Sequence, residues 1–439
     1  MIHRAKRLAL TIKANEFDPV FVHASARGGS TYFFHVLRRN DSLMCFNEAI
    51  VDGKIGYARY RKSRERDRSN FEAPGRWDFN HHFLDRMDCE EFLDAWDHVM
   101  HLCPFAPTFH DYLAYDGVIS AELSVYLAAL MRYSRSRGKR PALCEVYSRG
   151  RAGALRGAFG GYHIAQYRDP LSQFGSFLRA LIGGRVWYFL ANPLTELGTN
   201  SAHPLYRLVP EAWRAPNLPW RAETRAQRFG SEARYFAVAA ALRPDNLEKL
   251  FRWHMFSWIL GNLAAISYSD LILDLDKVHD ESSYRAFITG ILEEKVGGAT
   301  PDFSDIQKFE RHYDFESFDV AVICEQVISV VRSALEDGRL DAALSMLGKQ
   351  PLLVPTTYSV ELLANKILDS LSAMAASASR HTISVAEWRE VVIKNRRIWF
   401  NPGVRWLAEH IYPVAAAVVR SVRWAGIAMQ NTLGLRYES

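Results

Sequence analysis

The chain has 439 residues, with 54 Lys and Arg against 49 Asp and Glu, so its net charge is only +5. Hydrophobic residues make up 49% and charged residues 23%, a composition that excludes wholesale disorder and predicts a large buried core. So weak a positive charge argues against a nucleic-acid partner, although it leaves a local anion site open.

The N-terminal residues do not read as a signal peptide, because Lys13 and Asn15 interrupt a short apolar stretch and no small-residue cleavage site follows. No window reaches the roughly 18 uninterrupted apolar residues that a bilayer span requires. The 5 cysteines are scattered and form no CxxC pair, which is typical of neither a disulfide framework nor a zinc cluster. We therefore expect a cytoplasmic protein that needs no metal.

Four short apolar runs predict strands, and each is followed by a helical pattern. The first covers residues 19–25 and leads through Gly28 and Gly29 into a helix that begins at Ser30. The others cover residues 142–147, 162–167 and 271–276. Strands that alternate with helices favour an α/β fold with a parallel sheet and helices on both faces.

The remaining stretches set the predicted domain organisation. We expect an α/β domain at 17–300 with a helical insertion at about 60–140, and a helical C-terminal extension at 301–439. Residues 191–230 are rich in Pro, Asn and Arg, which predicts an irregular surface segment or lid. Residues 411–429 favour a packed terminal helix, with peripheral contact to the inner face of a membrane as the alternative.

The strongest local motif is the Ala26–Thr31 segment between the first strand and its helix. Gly28 and Gly29 allow a tight turn, the helix N-terminus offers free amide donors, and Ser30 and Thr31 add hydroxyls, so the segment suits a phosphate. It lacks the first glycine and the lysine of the GxxxxGK[ST] motif, which disfavours ATP chemistry. The alternative is a strand-to-helix turn with a serine cap.

A second motif begins at the end of the third predicted strand. Arg168 is followed by Asp169 and Pro170, and Ser176 stands eight residues after the arginine. A guanidinium matches phosphate oxygens with a planar set of donors, and a serine hydroxyl adds a neutral one. Taken alone, the motif also fits an ordinary helix start with proline near its first position.

Together the two motifs resemble those of the sulfotransferase family, which uses 3′-phosphoadenosine 5′-phosphosulfate (PAPS) as donor. The resemblance covers roughly residues 17–295 and implies a P-loop-like fold whose ligand lies at the carboxyl ends of the strands. It implies that Arg168 and Ser176 bind the 3′-phosphate. The 5′-phosphosulfate would be gripped by Arg27, Gly28, Gly29, Ser30 and Thr31, with Tyr32 standing where many members have an adenine-contacting tryptophan.

Besides Tyr32, the chain departs from the family pattern in two further places. Arg27 replaces the common lysine of the 5′ loop, as in some bacterial and carbohydrate-directed members, which keeps the charge but changes the geometry at the leaving oxygen. The Gly-rich, lysine-ending motif that cytosolic members carry near the C-terminus is absent from the sequence. Its candidate substitutes are Arg185, Lys394 and Arg396.

Sulfuryl transfer to a hydroxyl needs a base that takes the acceptor proton. The resemblance implies a glutamate about twenty residues beyond the 5′ loop, and Glu48 stands there, after the apolar run at 43–46. We therefore expect Glu48 to be the catalytic base and Arg27 to stabilise charge on the leaving phosphate. A capping or salt-bridging role is the alternative for Glu48, and His23 and His35 are rival bases.

The function that follows is transfer of a sulfuryl group from PAPS to an acceptor hydroxyl, with a carbohydrate or glycolipid as the expected acceptor. The glutamate base and a set of tryptophans that can stack on sugar faces, Trp77, Trp187, Trp213 and Trp220, favour a carbohydrate. A nucleotide-dependent small-molecule kinase and a non-catalytic interaction protein with a decayed cleft are the alternatives.

Charged residues near the end of the second predicted strand have a structural and a functional interpretation. Glu145 lies inside an apolar run and needs a partner if it is buried, so we expect a paired structural carboxylate. Arg149, Arg151 and Arg156 crowd the next turn. Each taken singly is expected in a solvated basic loop, and one of the three is expected to contact acceptor or phosphate.

Overall fold

The structure is a computed structural model, and it describes residues 17–50, 94–95, 98–99, 115–182, 188–215, 243, 245–298, 300–306, 312–377 and 380–399. Within these ranges the predicted α/β class is confirmed. Five parallel strands form a sheet in the order β2-β3-β1-β4-β5, and helices flank it. The strands are β1 (Val20–His23), β2 (Leu43–Asn47), β3 (Arg140–Glu145), β4 (Tyr162–Tyr167) and β5 (Leu271–Asp274).

Thirteen α-helices and a second, two-stranded sheet complete the described structure. The helices before β5 are α1 (Ser30–Arg38), α2 (Ala121–Ser136), α3 (Ala152–Phe159), α4 (Pro170–Ile182), α5 (Tyr188–Thr199), α6 (Pro204–Arg207) and α7 (Leu247–Ile266). Those after it are α8 (Leu275–Asp280), α9 (Ser282–Val296), α10 (Val320–Glu336), α11 (Arg339–Ser345), α12 (Thr356–Ala376) and α13 (Val385–Trp399). The short strands β6 (His312–Phe315) and β7 (Arg380–Ile383) pair in parallel.

The five-stranded sheet is buried on both faces, which explains why its strands are continuous apolar runs. On one face Val20 and Val22 pack with Phe33 of α1 and Leu292 of α9. On the other face Phe21 lies in a core with side chains of α2 and α3. Side chains alternate along β4 as well, so that Ile164 joins the first face whereas Tyr167 joins a large helical core on the second.

Helix α2 lies in the segment that the sequence assigns to the insertion, and it packs directly against the sheet. Leu123 and Tyr126 share a core with Phe46 of β2 and Leu143 of β3. Most of the predicted insertion, at 60–93 and 100–114, lies outside the described residues.

Helix α7 organises the large core on the second face. From Leu250 to Ile266 each of its residues is buried, which is typical of a helix surrounded by protein. The C-terminal helices contribute to the same core, with Val327 of α10 and Leu363 of α12 packed in one cluster with Phe256 and Trp258. A domain boundary at 300 stays a prediction.

The structure corrects three local predictions. The run at 43–47 is the edge strand β2, not merely an apolar stretch after a helix. The segment expected to be irregular from 191 begins inside helix α5 and continues through α6. The last predicted strand ends at Asp274, because the Asp274 carboxylate accepts the amides of Asp276 and Lys277, at 3.1 and 3.3 Å, and starts α8.

The C-terminal segment 411–429 lies outside the described residues. Among the residues that are described, no helix has the length and the apolar character that crossing a membrane requires.

Candidate functional site

The two motifs that the sequence predicts to bind phosphate meet at the carboxyl edge of the sheet. Strands β1 and β4 are direct neighbours, in register from Val20 opposite Tyr162 to His23 opposite Ala165. Helix α1 follows β1 on one face of the sheet and α4 follows β4 on the other. Chain connections that leave adjacent strands toward opposite faces open a crevice between them, and open α/β sheets bind ligands in such crevices.

Side-chain hydrogen bonds join the two motifs. Arg27 Nε donates to Ser176 Oγ at 3.0 Å. Gln166 Nε2 donates to the Gly28 carbonyl at 2.8 Å, and Gln173 Nε2 donates to Ser25 Oγ at 2.6 Å. The loop after β1 is therefore held by β4 and α4, and two segments about 140 residues apart form one site.

The backbone of the β1–α1 loop matches the predicted anion cradle. Gly29 caps α1 in the left-handed conformation, with φ 84°, no side chain caps the first turn, and that turn carries no acidic residue. A Cβ on Gly29 would lie 2.4 Å from Leu275 Cδ1, so this position requires glycine for space and for conformation. The serine cap considered as the alternative is not formed, and the amides at Ser30 and Thr31 point from an uncapped helix N-terminus.

Arg27 lies at the turn of the loop and is partly exposed. Its backbone is also left-handed, with φ 60°, and its guanidinium carbon lies 5.4 Å from the centre of the Phe189 ring in α5. The Ser176 hydroxyl and the Phe189 ring together hold the guanidinium toward α4 and α5. A non-glycine residue in this conformation is uncommon and is found disproportionately at functional sites.

Arg168 extends from the end of β4, beside the start of α4. The Asp169 carboxylate accepts the amides of Leu171 and Ser172, at 2.7 and 2.9 Å, so the ordinary helix-start role of the motif is realised. The Arg168 side chain is not used in that start. Its Nε is buried without a hydrogen-bond partner among the described residues and lies 4.0 Å from Asp276 Oδ1.

Tyr32 contacts residues of the segment that follows α9. Its hydroxyl donates to Asp305 Oδ1 at 3.1 Å, and its ring lies 6.5 Å from that of Phe303. Burial and the Asp305 carboxylate raise the pKa of Tyr32, which keeps the hydroxyl protonated as a donor. Any contact of Tyr32 with adenine stays a prediction.

Glu48 directly follows β2, which β3 separates from β1. Its backbone is left-handed, with φ 50°, and its amide donates to the Cys144 carbonyl at 2.7 Å. Glu145, at the end of β3, is 1% exposed and accepts the Ile50 amide at 3.1 Å. Glu145 thus shapes the turn that carries Glu48, in agreement with a structural carboxylate. Glu48 lies at the same carboxyl edge of the sheet as the two motifs, with β3 between it and β1.

His23 is part of a buried chain of hydrogen bonds. His163 Nε2 lies 3.0 Å from the Gly160 carbonyl, which only accepts, so this nitrogen carries the proton. Neutral His163 therefore accepts at Nδ1 from His23 Nε2, at 2.9 Å, and His23 Nδ1 accepts from the Ser148 hydroxyl at 2.7 Å. Each ring nitrogen is satisfied, which favours a structural role for His23 over that of a rival base.

This chain of hydrogen bonds predicts loss of stability in acid. Burial lowers the pKa of His163 to about 4 and that of His23 well below 6.5, so the unfolded chain binds more protons as the pH falls from about 6.5 to 4. The free energy of unfolding should fall through that window, by about 3 kcal/mol from His163 alone. Denaturant unfolding at pH 7, 5.5 and 4.5 measures the change.

Replacing His163 provides the comparison. His163→Gln should weaken the pH dependence, whereas His381→Gln, which alters an exposed histidine, should leave it unchanged. If the free energy of unfolding depended equally on pH in the wild type and in both variants, the buried histidine pair would not titrate as described.

The other rival base, His35, lies in α1. The centre of its ring is 5.2 Å from that of Phe34.

The expectation of a solvated basic loop after β3 is wrong. Arg156 forms a two-bond ion pair with Asp270, at 2.7 and 2.9 Å, and the buried Arg151 donates to the Val118 carbonyl. These side chains hold neighbouring segments to the sheet.

Arg149 belongs to a buried network that the sequence does not predict. The Glu196 carboxylate in α5 accepts from Arg149 Nη2 at 2.9 Å, from Tyr206 Oη at 3.0 Å, and from Tyr115 and Ser257. Burial lowers the pKa of Arg149, but Glu196 together with Tyr115 and Tyr206 outweighs burial, so the net change in the pKa is a rise. The network ties α5 and α7 to the end of β3.

A cavity of about 20 Å³ lies between this network and the β1–α1 loop, lined by Ser25, Gln173, Arg149 and Glu196 among others. A volume of that order holds one water molecule. That volume is too small for a sugar ring.

Within the described ranges no cluster of three or more His, Cys, Asp or Glu is arranged to hold a metal ion. Comparison of the chain with protein-family models, with curated proteins and with solved structures finds no match to any of them.

Proposed function

We propose that the protein transfers a sulfuryl group from PAPS to a hydroxyl acceptor and releases adenosine 3′,5′-bisphosphate. The observation that carries the proposal is the hydrogen bond from Arg27 to Ser176. It brings the loop suited to a 5′-phosphosulfate into contact with the helix suited to a 3′-phosphate. The strand order, with β1 between β3 and β4, agrees with the P-loop-like fold that the resemblance implies.

Nucleotide binding on this proposal opens the contact between Arg27 and Ser176. The 5′-phosphosulfate accepts from the amides at Ser30 and Thr31 and from the Arg27 guanidinium. Ser176 is released and, with Arg168, donates to the 3′-phosphate. One hydrogen bond within the protein is thus exchanged for several charge-assisted ones to the ligand.

The chemical step moves the sulfuryl group between two oxygens. The acceptor oxygen attacks sulfur, the bond from sulfur to the bridging phosphate oxygen breaks, and Glu48 takes the acceptor proton. Negative charge develops on the leaving phosphate oxygen. Arg27, once nucleotide binding has freed it from Ser176, and the loop amides donate to that oxygen, so they stabilise the transition state more than the bound donor.

The acceptor is proposed to be a carbohydrate or glycolipid hydroxyl. The small cavity beside the loop is too small for a sugar ring, so the acceptor would bind outside that cavity, where its hydroxyl could reach Glu48 after β2. Of the tryptophans that can stack on a sugar, Trp213 packs against Arg252, at 4.3 Å, and the other three lie outside the described residues. The cytoplasmic location and the membrane contact stay predictions.

Calorimetric titration tests the donor. Adenosine 3′,5′-bisphosphate should bind more tightly than ATP, because only the former carries a 3′-phosphate for Arg168 and Ser176. Arg168→Ala should lower the affinity for the bisphosphate by about tenfold or more and leave the affinity for ATP unchanged. A preference for ATP would instead indicate a kinase, and no binding of either nucleotide would indicate a non-catalytic protein.

Incubation of the protein with PAPS and a glycan extract tests the reaction. Mass spectrometry should detect acceptors that have gained one sulfuryl group, and the Glu48→Gln protein should produce none while it still binds the nucleotide.

A further inference from the structure

Arg168 belongs to a largely buried cluster of four charged side chains, whose other members are Asp274, Asp276 and Lys366. Lys366 of α12 donates to Asp274 Oδ1 at 2.9 Å and to Asp276 Oδ2 at 2.8 Å. Asp276 Oδ2 also accepts the Asp169 amide at 2.6 Å, and Asp276 Oδ1 lies 4.0 Å from Arg168 Nε. The C-terminal helices therefore reach the edge of the sheet where the nucleotide is proposed to bind.

The electrostatics of the cluster depend on Lys366. Burial lowers the pKa of Lys366, but the two carboxylates outweigh burial and raise it overall. Burial likewise raises the pKa of Asp276, and Lys366 with Arg168 reverses that shift and lowers it. With Lys366 present, two carboxylates face two cations in a site from which water is largely excluded.

The hydrogen bonds show which cation does the neutralising. Lys366 is in direct contact with both carboxylates, whereas Arg168 Nε approaches Asp276 no closer than 4.0 Å and makes no hydrogen bond at that atom among the described residues. Without Lys366, two buried carboxylates would draw the Arg168 guanidinium into a close ion pair. An arginine held in that way is a poorer phosphate ligand, because a carboxylate pair engages two of its five donors and turns them away from the phosphate.

We propose that Lys366 is a positioning residue that satisfies Asp274 and Asp276 and so leaves Arg168 available to the 3′-phosphate. The inference rests on the proposed function, in which Arg168 binds that phosphate. It gives the C-terminal helices a direct part in nucleotide recognition.

A purely structural role for Lys366 makes a different prediction. Loss of Lys366 would then lower stability and weaken all nucleotides alike. Action through Arg168 weakens only ligands with a 3′-phosphate. The comparison of adenosine 3′,5′-bisphosphate with adenosine 5′-phosphosulfate, which lacks the 3′-phosphate, separates the two roles.

The experiment measures both affinities by calorimetry in the full chain. Lys366→Met should lower the affinity for adenosine 3′,5′-bisphosphate by about tenfold or more and leave the affinity for adenosine 5′-phosphosulfate within a factor of two. Lys295→Met, which removes a lysine from an exposed ion pair with Glu294, is the matched control and should change neither affinity. Lys366→Arg should retain most of the wild-type preference.

A double variant covers the case in which Lys366→Met does not fold. Lys366→Met with Asp274→Asn removes one buried charge of each sign and leaves Asp276 to pair with Arg168. The protein should fold and still bind the bisphosphate weakly. Recovery of wild-type affinity in this variant, or equal weakening of both nucleotides, would overturn the inference. If the wild-type protein does not bind adenosine 3′,5′-bisphosphate more tightly than ATP, the proposed function fails, and the inference fails with it.

Discussion

Arg27→Ala should lower turnover by about a hundredfold or more, while the unfolding temperature changes little. On the proposed mechanism Arg27 supplies a positive charge to the leaving phosphate oxygen, and loss of one charge-stabilising donor costs about 3 kcal/mol in the barrier. The fold should survive because alanine adopts the φ of 60° at a cost similar to that of arginine. Initial rates of sulfuryl transfer and a thermal melt provide the two measurements.

Two further variants sharpen the result. Arg27→Lys keeps the charge but not the planar geometry and should retain part of the activity. Ser176→Ala removes the hydrogen bond to Arg27 and should weaken nucleotide binding without abolishing turnover. Turnover near that of the wild type in Arg27→Ala would remove Arg27 from the mechanism.

Glu196→Ala should destabilise the protein by about 3 to 5 kcal/mol, because it leaves the buried Arg149 guanidinium without its carboxylate. Two tyrosine hydroxyls and Ser257 lose their acceptor at the same time. Denaturant unfolding measures the change in the free energy of unfolding. Glu196→Gln keeps an acceptor oxygen and should cost less than alanine.

An exposed ion pair provides the control. Glu361 pairs with Arg332 at 2.6 Å, but both side chains are at least 40% exposed, so Glu361→Ala should cost about 0 to 1 kcal/mol. A similar cost for both alanine variants would show that burial does not set the strength of the Glu196 network.

The sequence predicts the sheet best where strands are short apolar runs bounded by turns. The strand at 162–167 is predicted to the residue, and the motif at Arg27–Thr31 is correctly placed between a strand and a helix. The edge strand β2 is missed because its four consecutive apolar residues, which follow a helix, show neither helical nor strand periodicity. Helix α7 is not assigned for a related reason, since burial on all sides removes the polar face that marks a helix.

The site contacts that the sequence does not predict join residues that lie far apart in the chain. Gln166 and Gln173 hold the loop from a distant part of the chain, and nothing local to either glutamine names that partner. Asp274 and Asp276 do carry a signal, since two acids inside an apolar run need buried partners. Lys366 carries none, because a lysine in a long helix is ordinarily solvated.

The central claim is that the loop after β1 and the helix after β4 hold opposite ends of one nucleotide. A crystal structure of the protein with adenosine 3′,5′-bisphosphate tests it most directly. We expect the 5′-phosphate to lie against the amides of Ser30 and Thr31, the 3′-phosphate to lie against Arg168, and Arg27 to be parted from Ser176. A nucleotide bound elsewhere, or bound with its 3′-phosphate away from Arg168, would contradict it.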